Sequence, residues 1–347
     1  MKNLAIINFL KGYSIFTIVV FHYLQYLSLP SPLDRLISFG GTGVHLFVLL
    51  SGFGLYLSYL RKPIGYGSFL KKRFTKIYVP YVIVVLLAAF LSLGFDFYGN
   101  SLYALGGHLF LYKMFDESIV GSYGYQLWFI SMIIQYYLLF YVLVRIFKSM
   151  TKTAFLVLAL AISFLWATIV HYLGYGGLRI WNSFFLQFLW EFALGMILAK
   201  TVFQNSDFKP VLKKNAYLVI GLVACVAYMS MALFWEGVGN LFNDIPALIG
   251  YSFIAIWIYL WNIKKVNGFF LFTGNISYSV YLLHFLCLEM TRYFLGNMGK
   301  PVVVVLSLVM TYLTSIYFQK FSGRVVAYLL QNANPKNKIS VADPFKS

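Results

Sequence analysis

The sequence predicts an all-α membrane protein, a polytopic helix bundle with about ten transmembrane helices and both termini in the cytoplasm. Of its 347 residues, 61% are hydrophobic and only 11% are charged, whereas soluble domains carry about 25% charged residues. The mean hydropathy is +0.78. A helix needs about 20 apolar residues to cross the hydrocarbon core. Apolar segments of about this length lie near residues 4–29, 43–60, 77–95, 125–147, 154–173, 184–202, 216–235, 246–263, 270–294 and 301–319.

Basic residues are unevenly distributed between the two sides of this bundle. With ten spans and a cytoplasmic N-terminus, 22 of the 27 Lys and Arg residues fall on the cytoplasmic side. The positive-inside rule therefore supports this orientation. The net charge of +17 then faces anionic headgroups, so membrane lipids, and not nucleic acid, are expected partners. The five basic residues on the outer side are Arg35, Lys113, Arg179, Arg292 and Lys300.

The sequence predicts one transmembrane domain over residues 1–323 and a polar cytoplasmic tail over residues 324–347. The only cysteines, Cys225 and Cys287, lie in apolar runs without a CxxC pair or a metal-ligand spacing. We therefore expect two buried thiols, no disulfide framework and no metal site.

Ionisable side chains inside apolar segments are costly and mark candidate sites. Lys11 and His22 lie eleven residues apart on the first segment, so they share one helix face about 16 Å apart along the axis. A neutral imidazole at that position can act as a general base. The alternative is that Lys11 extends its amine to the membrane surface and His22 is a structural histidine.

Three further ionisable residues lie in later segments: His45 in the second, Glu191 in the sixth and His284 in the ninth. Because consecutive spans run in opposite directions, His22 and His45 should both lie near the outer face. The glycines around His45 are equally explained by close helix packing, and a structural ion pair explains Glu191 as well as catalysis does. Ser51 lacks the full G-x-S-x-G context of a serine nucleophile.

The loop over residues 61–76 holds the densest group of cations. Arg73 and Lys76 are three residues apart and should point the same way at the inner end of the third segment. Such a pair can bind phosphate, with the Arg contacting two oxygens. Topology signalling also explains the loop without any ligand.

These motifs, taken in order, resemble membrane acyltransferase family 3, the bacterial O-acyltransferases of surface glycans and related acceptors. The family opens with an Arg or Lys eleven positions before a His, which Lys11 and His22 match. Its Gly-Val-Asp-Leu-Phe-Phe-x-Leu-Ser-Gly-Phe segment is similar to residues 43–53. The likeness runs from Asn8 to about Gln319. The remaining matching segments are residues 73–80, 127–138, 191–195 and 274–284.

Two departures from the family pattern bear on the acceptor. His45 stands where an acidic residue is usual, so any carboxylate role there passes to an imidazole. Ile133 and Ile134 replace a Glu-Glu pair that often precedes Gln135. The second change separates the chain from the best-known glycan-modifying branch and leaves the acceptor open.

The resemblance implies a multi-pass O-acyltransferase of a bacterial cell membrane. The donor would be cytoplasmic acyl-CoA, with acetyl-CoA expected, used as a substrate and not held permanently. The acceptor would be a hydroxyl of an extracytoplasmic glycan or lipid-linked saccharide, reached directly or through an acyl-enzyme. The resemblance implies that Lys11, Arg73 and Lys76 bind the donor's phosphates. The catalytic residues implied are His22 as general base, with His45, Glu191 and His284.

The rival interpretation is a transporter or flippase for a glycan or lipid-linked intermediate. Ten spans with scattered polar residues fit that class as well. However, the sequence has no repeat between its halves and no pair of interrupted segments. The ionisable candidates also concentrate in the first three segments, and not between two halves, which favours the acyltransferase.

The predicted topology places the loop over residues 61–76 in the cytoplasm and residues 96–123 outside. Single cysteines at Ser68 and Ser118, in a background with Cys225 and Cys287 replaced by alanine, should therefore react oppositely with an impermeant thiol reagent on intact cells. Only the cysteine at position 118 should be labelled. Equal labelling of both positions from outside would contradict the ten-span orientation.

Overall fold

The computed structural model describes residues 5–30, 33–34, 37, 39–95, 97–99, 101–205, 212–235, 239 and 241–332. Every regular element in these residues is helical, which confirms the all-α prediction. Arg35 and the part of the predicted tail beyond residue 332 lie outside the described residues.

The helices are numbered in chain order. They are α1 Ala5–Gln25, α2 Gly43–Arg61, α3 Tyr66–Phe95, α4 Leu102–Leu109, α5 Trp128–Ser149, α6 Lys152–Tyr172, α7 Arg179–Asn182, α8 Leu189–Gln204, α9 Lys214–Phe234, α10 Asp244–Leu260, α11 Lys264–Asn275, α12 Ser277–Leu295 and α13 Lys300–Asn332. Short 3-10 helices cover Phe39–Thr42, Tyr112–Phe115, Tyr125–Leu127 and Gly296–Met298.

Seven helices in the described part of the chain are long and apolar enough to cross a membrane. An eighth candidate is the pair α11 and α12, which is bent by 82° at Ile276. The predicted segments 184–202 and 246–263 form α8 and α10, which have only 16 and 17 residues. Both are shorter than the length of about 20 residues that a full span needs. The protein is thus a polytopic bundle, while the count of ten and the side of the termini stay predictions.

The last helix is longer than its apolar segment. α13 continues through Gly323 to Asn332, so the first residues assigned to the tail are helical. Gly299, whose φ is +89°, immediately precedes this helix, and Pro301 is its second residue. Proline suits the first turn of a helix because the amides there have no intrahelical acceptor.

Two close helix crossings organise the bundle, and each is made of paired glycines. Where α2 crosses α8, a Cβ at Gly52 would meet the carbonyl of Phe192, and a Cβ at Gly195 would meet the carbonyl of Leu49. Where α1 crosses α11, Gly12 of α1 and Gly274 of α11 each face a backbone carbonyl of the other helix in the same way. Within a membrane, small residues let backbones approach until van der Waals contact holds the helices together.

The crossing of α2 and α8 makes a stability prediction. Gly52→Ala should destabilise the protein by about 1–3 kcal/mol, because the backbone carbonyl opposite cannot move aside as a side chain can. Thermal unfolding of the detergent-purified protein should show a lower melting temperature. Gly54→Ala is the matched control on the same helix, because nothing lies within 4 Å of a Cβ there. Equal melting temperatures for the two variants would contradict the crossing.

Candidate functional site

A cavity of about 800 Å³ opens at the end of the bundle where α2, α8 and α10 begin. Its wall combines aromatic rings with charged and amide side chains. The lining residues include His45, Trp128, Arg179, Tyr228, Trp235 and Asp244. Its volume lies in the range of about 300–1,000 Å³ that is usual for small-molecule sites. We call it the outer cavity, since the predicted topology places this end outside.

His45 lies at the base of the outer cavity between two carboxyl groups. Its Nδ1 is 2.6 Å from Oε1 of Glu191, and its Nε2 is 3.8 Å from Oδ1 of Asp244. Each of the three residues sits in the first turn of its helix, where the helix dipole stabilises negative charge. Glu191 is fully buried, so the His45 contact is its compensation within the low-dielectric interior.

Asp244 is held in place by a side chain of the cavity wall. The amide of Gln187 donates to Oδ2 of Asp244 at 2.9 Å and to the carbonyl of Leu241 at 3.0 Å. This leaves Oδ1 facing His45. The carboxylate orientation is therefore fixed before any ligand enters.

A second, narrower cavity of about 150 Å³ contains His22. We call it the inner cavity. Its wall is mainly apolar, with Ile18, Phe47 and Ile133 beside the polar side chain of Ser51. Val44 and Trp128 line both cavities, so the inner cavity adjoins the outer one across these two side chains.

The imidazole of His22 stacks on that of His284, with ring centres 5.5 Å apart. Nδ1 of His284 contacts the carbonyls of Tyr281 and Val280 at 2.8 and 3.2 Å. Carbonyl oxygens only accept, so Nδ1 carries the proton and Nε2 carries the lone pair. That Nε2 is buried without a partner among the described residues.

His22 has the same arrangement in a weaker form. Its Nδ1 is 3.4 Å from Oε1 of Gln25, which again assigns the proton to Nδ1 and leaves a lone pair on Nε2. The side chain is neither fully buried nor fully exposed. The ring thus presents a basic nitrogen in an apolar cavity.

The three predicted phosphate-binding cations lie at the other end of the bundle. Arg73 is within electrostatic range of Lys11, Lys76 and Tyr137. Tyr137 and Ile77, the neighbour of Lys76 in sequence, both line the inner cavity. In the described part of the chain, no salt bridge joins these cations to a carboxylate. Arg73 is therefore near one residue of the inner-cavity wall, Tyr137, and Lys76 directly precedes another, Ile77.

The structure thus sorts the four predicted catalytic residues into two pairs. His22 pairs with His284 in the region of the inner cavity, and His45 pairs with Glu191 beside the outer one. Sequence reasoning missed Asp244, which lies just before the apolar segment 246–263 and so outside the predicted span. Its position two residues outside a span was the only signal.

Sequence reasoning also missed Arg179, treated only as one of five outer cations. Its guanidinium lies over the rings of Tyr125 and Trp128, 4.7 and 5.1 Å from their centres, and its Nε donates to the hydroxyl of Tyr125 at 2.6 Å. Glu117 accepts from the backbone amides of Arg179 and Ile180 at 2.8 and 2.9 Å. The guanidinium is therefore rigidly presented to the outer cavity.

The region from α4 to the start of α5, outside the spans, buries two basic groups, one in α4 and one after it. Lys113 is fully buried, donates to the carbonyl of Leu127 at 3.0 Å and lies 5.4 Å from the ring centre of Tyr81. This burial lowers the pKa of Lys113 to about 7. Burial, with the nearby Lys113, lowers the pKa of His108 to about 2. Lys113 is thus part of the packing under this segment and not a solvated outer charge.

Comparison with known proteins gives a match to one family. A family model described as an acyltransferase domain, that of membrane acyltransferase family 3, matches residues 4–320. No curated protein matches the chain. No solved structure matches it either.

Lys113 predicts a specific pH dependence of stability. Its pKa is about 7 in the folded protein against an ordinary 10.5, so between these values the unfolded chain holds a proton that the folded one does not. Stability attributable to Lys113 should therefore rise with pH across this window and reach its minimum below about pH 7. The melting temperature of the wild type, measured from pH 7 to 9.5, should rise relative to that of Lys113→Met. Lys72→Met, at an exposed position, should follow the wild type. Parallel curves for wild type and Lys113→Met would contradict this prediction.

Proposed function

The chain belongs to membrane acyltransferase family 3, and from this premise we propose that it moves an acyl group from cytoplasmic acyl-CoA to a hydroxyl of an extracytoplasmic or membrane-linked saccharide. The observation that carries this proposal is the position of His22. It lies in an apolar cavity that shares Val44 and Trp128 with the outer cavity and whose wall includes Tyr137, which lies within electrostatic range of Arg73.

On the donor side, Arg73, Lys11 and Lys76 supply positive charge without acidic partners among the described residues. Phosphate groups would neutralise them, and the guanidinium can contact two phosphate oxygens. The inner cavity then takes the acyl end of the donor. A cavity of about 150 Å³ holds a molecule of about the size of benzene, which supports a short acyl group such as acetyl.

In the reaction, Nε2 of His22 accepts the proton of the acceptor hydroxyl as its oxygen attacks the thioester carbonyl. The carbon–oxygen bond forms, the carbon–sulfur bond breaks, and the thiolate of CoA takes the proton back from the imidazolium. A positioned general base contributes about 10²–10⁴-fold to such a transfer. The stacked ring of His284 holds the His22 ring in this orientation.

The outer cavity fits the acceptor. Trp128, Tyr228 and Trp235 provide apolar faces for the carbon face of a sugar ring, while the amide of Asn182 and the guanidinium of Arg179 provide polar groups for its hydroxyls. Because Trp128 also borders the inner cavity, a hydroxyl bound against it lies on the path to His22.

Surface glycans and lipids from cells with and without the gene should differ by the mass of one acyl group.

His22 gives the decisive test. His22→Ala and His22→Gln should each lower acyl transfer by roughly 10²–10⁴-fold, because an amide can hydrogen-bond but cannot take the proton. Transfer from radiolabelled acetyl-CoA to membranes measures the rate, and equilibrium binding of acetyl-CoA to the purified variants should stay unchanged. His171→Gln removes an imidazole that lies outside the inner cavity and is the matched control, which should lose far less transfer than His22→Gln. Near-normal transfer by His22→Gln, with loss in His45→Gln or His284→Gln, would assign the base to another histidine.

A further inference from the structure

The guanidinium of Arg179 is held in one position in the wall of the outer cavity. It lies over the rings of Tyr125 and Trp128, 4.7 and 5.1 Å from their centres. Its backbone is fixed as well, because the two oxygens of Glu117 accept from the amides of Arg179 and Ile180. Ordering a long arginine side chain costs conformational entropy, and here that cost is met before a ligand enters. The group is therefore preorganised for binding.

The hydrogen-bonding capacity of this guanidinium is only partly used. Of its five N–H donors, three make contacts within the described residues. Nε and Nη2 donate to the hydroxyl of Tyr125, and Nη1 donates to Oγ of Ser183 at 3.3 Å. One N–H therefore remains on each terminal nitrogen. A pair of N–H groups on these two atoms can bind two oxygens of one carboxylate or phosphate.

The positive charge of Arg179 also lacks a carboxylate partner among the described residues, because none of their salt bridges includes it. The oxygens of Glu117 are taken by backbone amides, and Oδ2 of Asp244 is taken by Gln187. The guanidinium is half-buried. A neutral hydroxyl would satisfy the remaining donors but leave the charge uncompensated, whereas an oxyanion satisfies both.

Arg179 lies close to the proposed reaction centre. It is within electrostatic range of His22, and the ring of Trp128 beneath it lines both cavities. An anionic group held at Arg179 therefore anchors its ligand where the outer cavity adjoins the inner one. The rest of that ligand is then beside Trp128, from which a hydroxyl can reach His22.

We propose that the outer cavity binds an acidic saccharide, whose carboxylate or phosphate takes the two remaining N–H groups of Arg179. Elsewhere in the same wall, Asp244 has its Oδ2 occupied by Gln187, so its Oδ1 can accept from a sugar hydroxyl. Donors at one position and an acceptor at another give the bound saccharide a single orientation. This inference rests on the proposed function, because it treats the outer cavity as the acceptor site, and it narrows the acceptor to negatively charged saccharides.

Binding is measured by calorimetric titration of the full chain, purified in detergent without acyl-CoA. The probes are methyl glucuronide, glucose 1-phosphate and the neutral methyl glucoside. The wild type should bind an anionic probe at least about tenfold more tightly than methyl glucoside, the effect of a charge-assisted contact. Tighter binding of the glucuronide assigns the anion to a sugar acid. Tighter binding of glucose 1-phosphate assigns it to the phosphate of a lipid-linked sugar.

Substitutions at Arg179 separate recognition of the anion from support of the cavity wall. Arg179→Gln should lower the affinity for the preferred anionic probe by about 10–100-fold and leave that for methyl glucoside unchanged. Arg179→Lys should keep part of the preference, because the charge stays but the planar fork is lost. Arg292→Gln is the matched control. Arg292 also lies over a tyrosine ring, 5.1 Å from the centre of Tyr26, but outside the cavity wall, so its loss should change no affinity.

Failure of this inference is distinguishable from failure of the proposed function, because transfer from radiolabelled acetyl-CoA to membranes is measured separately. A wild type that transfers acyl groups but binds neither anionic probe, or binds charged and neutral probes equally, overturns the acidic acceptor alone. Equal losses for all three probes in Arg179→Gln and Arg179→Lys overturn it as well, since they indicate a structural role. Preferential binding of an anionic probe by a wild type that transfers no acyl group supports the anion site and contradicts the transferase.

Discussion

The crossing of α2 and α8 through Gly52 and Gly195 is the constraint on which the site depends. A membrane gives helices no hydrophobic drive toward each other, so their approach rests on backbone contact that only small residues allow. This contact brings the first turns of the two helices together, and it places His45 against Glu191 at 2.6 Å. A wider crossing would leave Glu191 buried without its imidazole, at a cost of several kcal/mol.

The same low-dielectric interior explains why polar groups occur in pairs. Glu191 is compensated by His45, Asp244 by Gln187, and the amine of Lys113 by a carbonyl and a ring face. The groups at the cavities are less completely paired. Nε2 of His284 and Oε2 of Glu191 are buried without partners in the described structure, and buried groups of this kind are where a ligand, proton or metal ion gains most.

The positions of the functional groups along the membrane normal follow from helix geometry, which a sequence records well. Lys11 and His22 share one face of α1 because eleven residues make nearly three turns. Arg73 and Lys76 share a face of α3 for the same reason. Their lateral neighbours do not follow from any local spacing, because nothing in α1 specifies that His284 stacks on His22 or that α3 brings Arg73 close to Lys11.

The sequence by itself determined the all-helical membrane class and singled out His22 and His45, which line the two cavities, because hydropathy and the rarity of intramembrane charge are local properties. It gave no sign that Lys113 is buried. It also passed over Asp244 and Arg179, which are the first residues of α10 and α7 and lie outside the predicted apolar segments. Only the tertiary structure decided that His45 lies between Glu191 and Asp244, because those donors come from three helices whose contacts depend on glycines far from them in sequence.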